Sequence, residues 1–290
     1  MRWLMFGGYG WIGGMVKKIL REQGEVVIDA RSRADHEDGI IADIEYYDPD
    51  RILCLVGRTH GPGYSTIDYL EQKGKLVENV RDNLFAPVAL ALIASNYGLH
   101  LTYLGTGCIF TYKEEEKIFS EMDHPNFFGS GYSTVKGFTD RLMHFFSNTV
   151  LNLRIRMPIV GYHHPRNFVT KITSYEKICS IPNSMTVLED MIPAMITMAK
   201  DGKTGTINLT NPGVISHNEM LELYKKYVDP SFEWKNFTQE EQAKILLSER
   251  SNNELTTDEL QKMFPTIKNI KESVEELFKE WDKSPLKAEN

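Results

Sequence analysis

Three observations predict a doubly wound α/β fold, a parallel sheet with helices on both faces, followed by a smaller C-terminal lobe. The chain opens on a strand, a glycine loop and a helix in immediate succession; short apolar runs then alternate with helix-length segments; and beyond about Pro158 that alternation gives way to shorter elements. Arg2 to Phe6 is short and mostly apolar, as a strand buried on both faces should be. It runs into G-G-Y-G-W-I-G, and Ile12 to Gln23 then carries apolar residues at helical spacing. Gly7 suits a tight turn, Gly10 lets backbone N–H groups approach a phosphate, and Gly13 lets the helix pack close to the strand, so the loop fits a dinucleotide pyrophosphate facing the helix N-terminus. Trp11 and Ile12, between these glycines, belong to the same loop. The fold expected is therefore Rossmann-like.

Further strands are expected at Glu25 to Asp29, Arg51 to Val56, His100 to Leu104 and Leu151 to Ile155, with crossover helices at Glu37 to Tyr47, Leu76 to Tyr97 and Tyr132 to Asn148. Residues 1–157 make the NAD(P)-binding domain. Residues 158–290 make a substrate-binding lobe, partly interleaved with it, whose strand candidates are Thr186 to Leu188 and Ile207 to Leu209. In such sheets ligands sit beyond the carboxyl ends of the strands, which directs attention to the loops after Val56, Leu104 and Ile155.

The bulk properties narrow the function classes. A net charge of −7 with dispersed Lys and Arg argues against a nucleic-acid partner. No apolar run is long enough to span a membrane and no export signal opens the chain, so a cytoplasmic protein is expected. Three scattered cysteines, Cys54, Cys108 and Cys179, suit a reducing compartment, and no Cys/His spacing suggests a metal.

At the cofactor end, Asp29 closes the second strand where an acid would hold the ribose hydroxyls of NAD, but Arg31 and Arg33 follow at once. Two cations beside a 2′-phosphate favour NADPH; the alternative is a pair of solvated loop charges. Gly57 and Arg58 occupy the loop expected to pass beneath the cofactor.

At the catalytic end, Y-S-T-V-K sets Tyr132 and Lys136 one helical turn apart on one face. The same spacing recurs at Tyr69 and Lys73, and position decides between them: only Tyr132 begins the long helix after the strand ending at Leu104. A phenol with an ordinary pKa near 10 becomes a usable acid when a nearby ammonium, here Lys136, stabilises its phenolate. The strand before it empties into G-T-G-C-I-F, which brings Thr106 and Cys108 to the same sheet edge; Thr106 can donate to a substrate carbonyl. Read alone, Cys108 is a small apolar core residue and Lys171 a surface lysine.

In the runs L-G-T-G-C-I-F, R-M-P-I, H-H-P-R-N-F-V-T-K-I, I-P-N-S-M-T-V-L, N-L-T-N-P-G-V-I-S-H-N-E and R-S-N-N-E-L the chain resembles the extended short-chain dehydrogenase/reductases that act on nucleotide sugars. Within them it is most similar to the bifunctional 3,5-epimerase/4-reductases of UDP-L-rhamnose synthesis, nearly end to end. The resemblance implies epimerisation of UDP-4-keto-6-deoxyglucose at C3 and C5, then NADPH-dependent reduction at C4. It implies Thr106, Tyr132 and Lys136 as the reductase triad, and Cys108 with Lys171 as the epimerase acid–base pair. Asn167, Phe168 and Arg250 become candidates for holding the nucleotide sugar, against the alternatives of a capping Asn, a core Phe and an exposed Arg. Trp234 has the uridine end or the core as its alternatives. A homodimer is the family's expectation.

Two departures stand out. Asp43 and Ile44 fall inside a helix candidate, leaving no place for the Asp-hydrophobe adenine contact common in the superfamily. The chain also starts at the glycine loop, so a separate 4,6-dehydratase is expected to supply its substrate. The rivals are a 4-ketoreductase that relies on a separate epimerase, against which Cys108 and Lys171 speak, and a noncatalytic NADP-binding regulatory subunit, against which the intact Thr106, Tyr132 and Lys136 speak.

Overall fold

A computed structural model describes residues 1–112 and 117–287. The first half alternates as β1 (Arg2–Phe6), α1 (Trp11–Glu22), β2 (Val26–Asp29), α2 (Glu37–Tyr47), β3 (Arg51–Cys54), α3 (Leu76–Val80), α4 (Ala86–Asn96), β4 (His100–Thr106), β5 (Ile118–Phe119), α5 (Gly131–Met143) and β6 (Val150–Ile155). The second half follows as β7 (Pro158–Ile159), α6 (Phe168–Ile172), β8 (Lys177–Ile178), β9 (Thr186–Val187), α7 (Leu188–Lys200), β10 (Gly205–Asn208), α8 (His217–Tyr227), β11 (Lys235–Asn236), α9 (Gln239–Ala243), β12 (Glu254–Leu255), α10 (Asp258–Met263) and α11 (Ile270–Lys279).

Six parallel strands form the central sheet in the order β10-β6-β4-β3-β1-β2. The order reverses between β1 and β3, so the loops after Phe6 and Cys54 part there and open a crevice at the carboxyl edge. Period-two alternation covers both faces of the sheet. Trp3, Met5, Leu53, Leu151 and Leu153 pack on α1 and α7, while Leu4, Phe6, Ile52, Leu101 and Tyr103 pack on α2 and α4.

Three elements differ from the sequence expectation. Ile207 to Leu209, expected in the smaller lobe, lies mostly in β10, which joins the main sheet beside β6. With α7 it brings part of the second half of the chain into the packing around the main sheet. The helix expected over Leu76 to Tyr97 is broken into α3 and α4 by a π-helical turn, Arg81–Phe85, next to the cofactor crevice. The helix expected over Tyr132 to Asn148 ends at Met143 and continues as a 3₁₀ turn, His144–Phe146. The lobe has its own core, in which Ile159, Val169, Ile172, Met220, Val274 and Phe278 are buried together.

Candidate active site

The glycine loop has the geometry a dinucleotide needs. Gly7 sits at φ 91°, a conformation that favours glycine, and a Cβ on Gly13 would lie 2.2 Å from the Gly7 carbonyl oxygen. Gly10 is the N-cap of α1 and offers no side chain to its first-turn N–H groups, which remain available to an anion. Beside them a cleft of about 340 Å³ is lined by Gly7, Asp29, Arg33, Gly57, Arg58 and Asp82. These residues fit a dinucleotide along the switch point.

The individual cofactor candidates divide. Gly57 and Arg58 lie in the cleft wall as expected, with the Arg58 N–H donating to Asn83 at 2.9 Å and its Nε to Asp82 at 2.6 Å. Arg33 also lines the cleft, bonded to Asp35 at 2.8 Å. Arg31 instead lies over the rings of Tyr46 and Tyr47, its guanidinium 4.9 and 5.3 Å from their centroids. Asp29 is paired with Lys17 at 2.7 Å, which neutralises the acid that would otherwise repel a 2′-phosphate. Asp43 sits inside α2, buried and accepting from the N–H and hydroxyl of Ser32, so it braces the loop that carries Arg33. Ile12 packs onto the core under α1, and the Trp11 ring stacks on His164 with centroids 4.8 Å apart.

The catalytic candidates converge at the other end of the edge. Thr106 closes β4, paired with Ile155 of β6, and its Oγ1 accepts from the Cys108 N–H at 3.1 Å. Ser130 caps α5 by accepting from the Ser133 N–H, which fixes Tyr132 in the first turn. Cys108 and Tyr132 line one cleft of about 210 Å³, with Phe168, His217 and Arg250 on the lobe side. Burial pushes the Tyr132 phenol above its ordinary range, and a hydrogen bond with Thr106 opposes that shift. Lys136 is fully enclosed one turn further on, and burial pulls its ammonium down to about 8.

The hydrogen bond that Lys136 makes runs to the hydroxyl of Tyr103, a buried β4 residue to which the sequence reading gave no role. The Lys136 hydrogen bond thus goes to Tyr103 and not to Tyr132, and the neighbours acting on the Tyr132 phenol are Cys108, which raises its pKa, and Thr106, which lowers it. No local sequence pattern marks Tyr103, because its partner lies 33 residues further along the chain. Arg156 was missed as well. It is buried behind the β4 loop, where its guanidinium donates to Gly107, Asn183, Ser184 and Ser251, and it lies within electrostatic reach of Cys108.

On the lobe side, Phe168 and Ile172 of α6 face the cleft. Lys171, on the same helix, is half-buried, and burial with the nearby Arg166 charge lowers its pKa. Asn167 takes the capping alternative: its side chain accepts from the Val169 N–H and donates to the carbonyls of Val160 and Tyr162, and it is buried completely. Arg250 lines the cleft but is held by both carboxylate oxygens of Asp68 at 2.9 and 2.8 Å. Trp234 stacks on Phe232 and donates to Asn218, outside the cleft wall. The second Tyr/Lys match also resolves, since Tyr69 receives a hydrogen bond from Lys75 and donates to Glu78. Among the described residues no cluster of His, Cys, Asp and Glu could hold a metal ion, and no helix is long and apolar enough to cross a membrane.

A dinucleotide crevice joined along one sheet edge to a cleft bearing a Thr, a Tyr-x-x-x-Lys helix and a Cys defines a nucleotide-dependent reductase with an additional acid–base function. Comparison with known proteins agrees. The chain is 58% identical over 281 residues to protein L780 of Acanthamoeba polyphaga mimivirus, covering 96% of this chain and 97% of that one. The crystal structure of the L780 UDP-rhamnose synthase superposes with a TM-score of 0.94 over 96% of this chain and 99% of that chain. An Arabidopsis thaliana bifunctional dTDP-4-dehydrorhamnose 3,5-epimerase/reductase is 44% identical, covering 98% of this chain and 95% of that protein. At the level of fold alone, the dTDP-4-dehydrorhamnose reductase of Bacillus anthracis, solved with NADP, shares 16% identity at a TM-score of 0.79, covering 96% of this chain and 98% of that chain. No family model matches the chain. The chain belongs to the family of bifunctional nucleotide-sugar 3,5-epimerase/4-reductases that make activated rhamnose.

Proposed function

We propose that this enzyme converts UDP-4-keto-6-deoxyglucose to UDP-β-L-rhamnose in one cleft, using Cys108 and Lys171 for the two epimerisations and Thr106, Tyr132 and Lys136 for the reduction. The observation that carries this assignment is the juxtaposition of Cys108 and Tyr132 on one cleft wall, both tied to Thr106.

The 4-keto group acidifies the hydrogens on C3 and C5. Inversion then requires one group to remove a proton from one face and another to return one to the opposite face. Cys108 comes from the sheet edge and Lys171 from the lobe helix whose neighbouring residues line the opposite wall. The lowered pKa of Lys171 makes its neutral amine, the proton-accepting form, easier to reach. The hydroxyls of Thr106 and Tyr132 can stabilise the oxyanion that develops at O4 in each epimerisation. The same two groups then serve the reduction, in which Tyr132 delivers a proton to O4. The nicotinamide cofactor, when bound, supplies the hydride. Arg33 in the cleft wall and the neutralised Asp29 support NADPH over NADH.

The substrate is a dehydration product of a nucleotide sugar, so a 4,6-dehydratase supplies it. Three free thiols suit a reducing cytoplasm. A homodimer is supported by an exposed apolar face on α4 and α5 that carries Leu92, Phe138 and Leu142, with Phe145 just beyond.

The test is to mix the enzyme with NADPH and UDP-4-keto-6-deoxyglucose and identify the product by chromatography and NMR. One NADPH oxidised per UDP-β-L-rhamnose formed is expected. A C4-reduced sugar of unaltered configuration at C3 and C5 would reduce the assignment to a simple 4-ketoreductase.

A further inference from the structure

Arg58, Arg154 and Arg250 are matched to the carboxylates of Asp82, Asp140 and Asp68, and Arg51 and Arg156 place their guanidinium groups on backbone carbonyls, Arg156 also on the Asn183 side-chain oxygen. Arg166 is the departure. Its Nη2 lies 2.6 Å from Nε2 of His60, and among the described residues neither it nor Lys171 has a carboxylate partner. Burial lowers the pKa of Arg166, and the positive charge of Arg58 lowers it further. His60 and His164 are both held below their ordinary range by burial and by Arg166 and Lys171, so these imidazoles are neutral and do not add to the positive charge. His60 also leaves Nδ1 buried without a partner. Assembling partly dehydrated cations without an acid is costly, and a bound anion removes that cost.

Position identifies the anion. The Arg166 N–H donates to Nδ1 of His164 at 3.1 Å, and the His164 ring lies flat on Trp11, the first residue of α1. The segment of the lobe carrying Arg166 is thereby seated over the helix terminus whose N–H groups have no side-chain cap, while His60 comes from the loop after β3 on the other side of the switch point.

We propose that Arg166 and His60 form an inter-lobe clamp on a diphosphate, assembled only where the lobe loop meets the loop after β3, and that neither half binds it alone. Resting on the function proposed above, this supplies the part of the site that recognises the diphosphate. Two diphosphates are present in the reaction, one in the dinucleotide and one in the nucleotide sugar. The contact between His164 and Trp11 places the clamp nearer the dinucleotide.

The test is calorimetric binding, without turnover, to the full-length protein and to Arg166→Gln and His60→Gln, with thermal unfolding of each as a control for folding. The probes are NADPH, UDP, and adenosine 2′,5′-bisphosphate, which keeps the adenine end of NADPH but has no diphosphate. Arg166→Gln is expected to weaken one diphosphate ligand by about tenfold or more, the loss of a charge-assisted contact, and to leave the bisphosphate unchanged. His60→Gln should weaken the same ligand by less. A loss confined to NADPH assigns the clamp to the cofactor, and a loss confined to UDP assigns it to the nucleotide sugar. Unchanged binding of both, or equal weakening of the bisphosphate, overturns the proposal. Because binding is read without catalysis, these results stand apart from whether the epimerase/reductase assignment holds.

Discussion

In the proposed mechanism Tyr132 carries the largest chemical burden of any single side chain. Its phenol is buried, and Thr106 is the group that offsets that burial. Tyr132→Phe is expected to lower the rate of C4 reduction by roughly 10² to 10⁴-fold while sparing NADPH binding, as measured by single-turnover NADPH oxidation beside a binding titration. In the proposed reaction the Lys136 ammonium, one helical turn from Tyr132, supports the phenolate left after proton delivery, and its protonation sets the pH response. Its ammonium, pulled down to about 8, is present below that pH and lost above it, so kcat/KM for reduction should fall as pH rises through about 8. Tyr103 accepts the hydrogen bond of that ammonium and so favours its charged form. Tyr103→Phe should therefore move the alkaline limb to lower pH, a shift that loss of packing alone would not produce. The sequence spacing made Tyr132 and Lys136 legible because one helical turn fixes their relation. Tyr103 and Arg166 were illegible because their partners lie 33 and 106 residues away. No local pattern encodes such contacts.

Elements show the same division between local and tertiary information. β1, α1 and α2 follow the sequence reading closely, because apolar alternation and helical periodicity are local signals. The pairing of β10 with β6 is not legible in the sequence, because nothing within Gly205–Asn208 states which strand it will join. The π turn at Arg81–Phe85 was also hidden, since it alters hydrogen bonding without interrupting the apolar pattern. At α6, Asn167 satisfies the first-turn N–H of Val169 and bridges two carbonyls from the preceding segment. Asn167→Ala should destabilise the protein by about 1–2 kcal/mol in denaturant unfolding and lower epimerisation through misplacement of Lys171. The buried pair of Asp140 on α5 and Arg154 on β6 ties a catalytic helix to the sheet. Asp140→Asn leaves Arg154 buried without its counter-charge, and a loss of about 3–5 kcal/mol is expected by the same measurement.

For the whole molecule, the second half of the chain both completes the sheet through β10 and closes over its carboxyl edge through α6, so a single sheet edge can present one substrate to two chemistries. The apolar face on α4 and α5 gives the dimer prediction. Phe138→Asp should convert a dimer to a monomer in light scattering without changing the cleft. The central claim is that Cys108 and Lys171 move protons at C3 and C5 while Tyr132 acts at O4. The measurement that tests it most directly is turnover of UDP-4-keto-6-deoxyglucose with NADPH in deuterated water, followed by NMR location of deuterium in the product. The wild-type protein is expected to label C3 and C5, and Cys108→Ala and Lys171→Ala to lose that label while still binding NADPH. Label at both carbons undiminished in both variants would contradict the account.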